Sequence, residues 1–150
     1  MNLLPRVAVG AAIVAVLGFA AFQWAFYGNS AEVIATADRL QAPDGWELVL
    51  EDVTAPSRVC LDGGTCPSVL RQWSTPSTLT RSEFESVLSE SELDLAIDSD
   101  CVPSALVLGE QIACSASGSV DGFNVIVSVI APSPGELGGS VVLDIRQPVA

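Results

Sequence analysis

Four cysteines, Cys60, Cys66, Cys101 and Cys114, are the residues whose type and spacing point most directly to a chemistry. Structural zinc takes cysteines in pairs two to four residues apart. Here five residues separate Cys60 from Cys66 and twelve separate Cys101 from Cys114, so a four-thiolate zinc site is not expected. A Cys-x-x-Cys redox pair is absent. An even count in an exported domain reads as disulfides, and four cysteines allow three pairings. The local pairing, Cys60–Cys66 with Cys101–Cys114, is favoured because Asp62-Gly63-Gly64-Thr65 makes a tight reversal between the first two. On the chain-entropy model each ring contributes roughly 2–3 kcal/mol.

The residues that are missing narrow the chemistry further. There is no histidine and no lysine. That excludes Ser-His-Asp and Cys-His machinery, imidazole metal ligands, a phosphate-binding loop and Schiff-base catalysis. Carboxylates remain, and seven of the eighteen acids fall between Glu83 and Asp100. A calcium loop would need Asp-x-Asp/Asn-x-Asp/Asn-Gly, but Asp98-Ser99-Asp100 runs into Cys101. A solvated acidic face is the simpler reading. Glycoside hydrolysis needs two acids facing each other across a cleft, and few aromatics are present to build a sugar groove. Trp46 and Trp73 lie in strand-like runs and read as core aromatics, and Arg71 as a surface residue on a strand's outer face. We expect no catalytic residues, no metal and no cofactor.

The element that positions this chemistry in the cell is the run from Val7 to Tyr27, which holds one polar side chain, Gln23, and no charge. As a helix its twenty-one residues cover roughly 31 Å, the thickness of a bilayer's hydrocarbon core. Arg6 precedes it and the trailing flank has no base, which puts the N-terminus in the cytoplasm. Trp24 and Tyr27 suit the outer headgroup layer. The competing reading is a signal peptide cut after Ala20 or Ala37. Against it, the apolar run is long and ends in bulky residues. A pilin-like start would need a glutamate inside the run, and none occurs before Glu32. The expected layout is a cytoplasmic N-terminus over 1–6, a transmembrane anchor over 7–28, a stalk over 29–42 and an extracytoplasmic domain over 43–150. All eighteen acids and five of the six arginines follow the run. A domain this acidic repels nucleic acid and anionic lipid headgroups.

Hydropathy patterning predicts the domain's elements. Trp46, Leu48 and Leu50 alternate with polar or partly polar neighbours, as in a strand with one buried face. Val69 to Trp73 forms a second strand, ended by Pro76. Thr80 and Glu83 make a capping box, and Phe84, Val87 and Leu88 follow at helical spacing. That helix should run from about Arg81 to Glu90. Leu93, Leu95 and Ile97 return to extended chain. Gln111 to Ser117, Phe123 to Ile130 and Val141 to Arg146 read as three further strands. The second is apolar enough to be central and covered on both faces. The fold expected is α+β: a single transmembrane helix, then a mainly antiparallel sheet with one covering helix, pinned by disulfides.

The order Gly45-Trp46, Cys60, Cys66-Pro67-Ser68, Arg71-x-Trp73, Cys101 and Cys114 with a following Gly122 hairpin resembles small exported or membrane-anchored domains of high-GC Gram-positive bacteria. The likeness covers residues 43–147. It implies a structural framework and carries no activity. The expected function is a non-catalytic binding or accessory module of the cell envelope. It would be held by one membrane span and face an envelope protein partner. The alternatives are a small carboxylate-based envelope enzyme and a secreted domain.

Overall fold

In strand β5 (Phe123–Ala131) the fully buried Val125, Val127 and Val129 alternate with residues of the opposite face, where Ile126 is 44% exposed. That period-two pattern fixes which side of the sheet carries the core. The computed structural model describes residues 17–18, 31–54, 66–98, 101, 111–132 and 138–148. Before β5 come α1 (residues 31–37), β1 (Glu47–Thr54), β2 (Ser68–Thr75), α2 (Arg81–Glu90), β3 (Ala96–Ile97) and β4 (Gln111–Val120). After it comes β6 (Gly139–Arg146). The six strands form one sheet in the order β1-β2-β6-β5-β4-β3, every pair antiparallel. This is the expected α+β class, and among the described residues two helices, α1 and α2, pack on the sheet where one covering helix was expected.

Local sequence explains several boundaries. Asp121 and Gly122 both have positive φ, 51° and 84°. That is the two-residue turn whose twist matches an antiparallel hairpin. At α2 the Thr80 hydroxyl accepts from the Glu83 N–H at 3.4 Å, and the Glu83 carboxylate accepts from the Thr80 N–H at 2.7 Å. Phe84, Val87 and Leu88 are its buried stripe, as their spacing predicts. Gly118 lies inside β4 rather than in the turn. A Cβ there would come within 2.9 Å of Asp94 O and of Leu95, so glycine lets the chain before β3 cross close by.

Helix α1 alters the expected layout. Val33, Thr36, Ala37 and Leu40 are buried, and Val33, Ala37 and Leu40 belong to the same core cluster as Phe84 and Leu143. Residues 31–40 are therefore part of the folded unit, not a stalk, and the domain does not begin at Pro43. The physical reason is the i, i+4, i+7 spacing of Val33, Ala37 and Leu40, which puts one apolar stripe against the sheet.

Three further expectations are corrected. Arg71 points to the helix side, its side chain only 13% exposed. Its Nη2 donates to Asp38 and its Nε to Glu51, each at 2.7 Å. Burial alone pushes the guanidinium pKa down, but the hydrogen bonds and charges of Asp38 and Glu51 more than offset this and hold it above its ordinary value. Strand β5 is central, yet among the described residues helices cover one face only, because α1 and α2 lie on the same side. Strand β1 has no buried residue, being the outermost strand.

The expected anchor over 7–28 falls outside the described residues except for Leu17 and Gly18, which are helical. Arg6, Trp24 and Tyr27 lie outside them as well. Among the described residues no helix is long and apolar enough to cross a membrane.

Candidate binding face

Cross-strand register places the side chains of the uncovered face in rows. One row runs Asp52 (β1), Leu70 (β2), Asp144 (β6), Ile126 (β5), Ser117 (β4) and Ala96 (β3). Directly opposed residues project to the same side of a sheet, so acid and apolar groups alternate across the first four positions of this row. The next row is polar: Thr54, Ser68, Arg146, Asn124 and Ser119. Where these two rows cross β1, β2, β6 and β5 they line a groove of about 590 Å³. The groove belongs to the bare side of the sheet, away from both helices.

Its electrostatics limit its chemistry. Arg146 grips Asp144 through two bonds, Nε to Oδ1 at 2.8 Å and Nη2 to Oδ2 at 2.6 Å. The Asp144 carboxylate, bound to Arg146, in turn holds the guanidinium above its ordinary pKa. The pair is thereby neutral as a unit. Asp52 stands two strands away across Leu70, roughly 10 Å at the Cα positions. Of the two acids, Asp144 is already bound to Arg146 and is not a free carboxylate. What the groove offers is a mixed polar and apolar contact surface.

The second open surface is the edge strand. Leu48, Val49, Leu50 and Val53 are 48%, 55%, 43% and 39% exposed. Glu47, Glu51 and Asp52 share the strand, which has no basic residue. A bulge at Val49 interrupts its pairing with β2. Sequence reading missed this edge because alternation says which face a strand could bury, not whether anything lies over it.

The described cysteines are disulfide-bonded. Cys101 and Cys114 form a disulfide with Cα atoms 4.5 Å apart, at the border of the sheet beyond β3. Cys66 is buried and disulfide-bonded. Its expected partner, Cys60, lies outside the described residues. Trp73 is buried and Trp46, just before β1, packs on it, ring centroids 6.4 Å apart and planes tilted by 53°. Among the described residues no three His, Cys, Asp or Glu side chains are placed to hold a metal ion. The acids of α2 and the loop after it are spread over a solvated surface, and Arg81 pairs with Glu85 there at 2.9 Å. No known protein family, characterised protein or solved structure matches this chain.

Proposed function

We propose that this chain is a single-pass membrane protein with its N-terminus in the cytoplasm and its folded part outside. We read that part as a non-catalytic interaction module of the envelope. The observation that carries the reading is the closeness of the uncharged run, ending at Tyr27, to a helix that is already core. Val33 is fully buried, so little chain is left to act as a spacer. A tether this short keeps the domain against the membrane surface. Confinement of that kind raises the effective concentration of a weakly bound neighbour.

Other features agree with it. The Cys101–Cys114 disulfide suits an oxidising compartment. Leu17 and Gly18, in the middle of the run, are helical. The bare sheet face and the exposed β1 edge give the domain surfaces for contact, whereas the groove's acids are not arranged as a catalytic pair.

External protease applied to intact spheroplasts tests the topology. Digestion of the folded part with retention of a small membrane-embedded fragment is expected. Full protection would put the domain inside and end the proposal. A soluble form starting near residue 21 or 38 would show cleavage instead. Replacing residues 1–28 with a cleavable signal should weaken any phenotype while the domain still folds. Full complementation by that secreted form, with turnover of a substrate, would replace the interaction reading with an enzymatic one.

A further inference from the structure

We infer that the outer edge of β1 is a strand-addition site for an extended basic segment of a partner protein. This rests on the interaction reading above and names its surface and the partner's chemistry.

The two edges of the sheet are unlike. Along β4, strand β3, the bond from Asp98 N–H to Ser115 O at 2.8 Å and the Cys101–Cys114 disulfide hold a cover in place. Among the described residues nothing pairs with β1 on its outer side. Its outward N–H and C=O groups are therefore the template that strand addition uses. Among the described residues, four of the seven large apolar side chains that stand exposed lie on this one strand. Concentration on one element distinguishes a contact surface from scattered exposed residues.

Charge selects the occupant. Glu47, Glu51 and Asp52 lie on the strand, and the neighbouring cation, Arg71, already holds Asp38 and Glu51. A second copy would bring three more acids and another strongly negative domain to the same line, which like-charge repulsion opposes. A basic strand meets the opposite field. Beyond the bulge, residues 50–54 form the regular stretch. An antiparallel strand beside them would set apolar residues opposite Val53 and Leu50 and bases opposite Asp52 and Glu51. The pattern recognised is thus apolar-basic-basic-apolar.

The test uses the full-length protein in detergent micelles and a synthetic peptide carrying Val-Lys-Lys-Val. Controls are a Val-Glu-Glu-Val peptide and a Val-Lys-Lys-Val peptide N-methylated on alternate residues, which keeps the charge but cannot pair as a strand. Amide hydrogen exchange should slow over residues 47–54 with the first peptide alone, and binding should weaken as salt rises. Asp52→Lys should lower affinity about tenfold without changing thermal stability. Equal binding of the N-methylated peptide, or protection over α2 instead of β1, would reduce the effect to bulk attraction and overturn the proposal. So would outward-facing β1 amides, those not paired with β2, that are already slow in the free protein, or a dimer that buries this edge. Membrane topology does not enter the measurement, so a failed anchor and a failed edge give different results.

Discussion

The Arg71 guanidinium reaches from the middle of β2 to the Asp38 carboxylate at 2.7 Å, joining the sheet to the turn that ends α1. Through Nε the same group holds Glu51 on β1, its register partner. One side chain therefore links an edge strand, a central strand and a helix. The neighbouring Arg39 makes a second tie, to Asp121 in the β4–β5 turn.

Replacing Arg71 by methionine keeps the apolar stem but removes both bonds. We expect a loss of about 1–3 kcal/mol, because the group is largely buried and its bonds are charge-assisted. Asp38→Ala should cost less than about 1 kcal/mol, since that carboxylate is mostly exposed. Urea unfolding of the full-length protein in detergent measures both. Equal losses would mean that Arg71 acts only as one surface ion pair.

Leu40→Ala separates a core helix from a stalk. A buried leucine truncated to alanine costs about 2–5 kcal/mol. A residue in a solvated stalk would leave the unfolding midpoint where it was. The same urea titration decides.

Cys101 and Cys114 close a ring across the border of the sheet. Removing both by Cys101→Ala and Cys114→Ala should lower stability by about 2–4 kcal/mol on the chain-entropy account. The buried Cys114 position makes alanine a better replacement than serine, whose hydroxyl would need a partner. Peptide mapping without reduction should recover the two cysteines cross-linked. A Cys60–Cys101 peptide would contradict the pairing.

Glu83 gives the helix a pH dependence with a definite sign. The Thr80 backbone N–H and then the Thr80 hydroxyl, both donating to its carboxylate, lower its pKa below 4.5. A folded value below the unfolded one means that the unfolded chain binds the proton first. The capping contribution is therefore complete above the ordinary carboxylate range and is lost as pH falls through the lowered value. Glu83→Gln should flatten that part of the acid limb of a stability–pH curve. An unchanged limb would show that the capping box does not contribute.

Much of this molecule could be read from residue order alone because the signals are local. A capping box and three apolar residues at helical spacing define α2 within ten residues. Alternation likewise marks β6, and Asp121-Gly122 marks the β4–β5 hairpin. The adjacency of Cys101 and Cys114 follows the same logic, as does the apolar run's length. Partnership across the chain is not local. Residues 29–42 read as a stalk, and only the fold shows a sheet beneath Val33, Ala37 and Leu40. Arg71 became a buried bridge because α1 and β1 converge on it from thirty-three residues upstream and twenty. The apolar pattern of β5 promised two covered faces, whereas α1 and α2 both pack on one side and Ile126 stands exposed on the other. Sequence periodicity states which side chains share a face. Which faces meet, and which strand is left at the edge, depends on tertiary contacts that no single segment encodes.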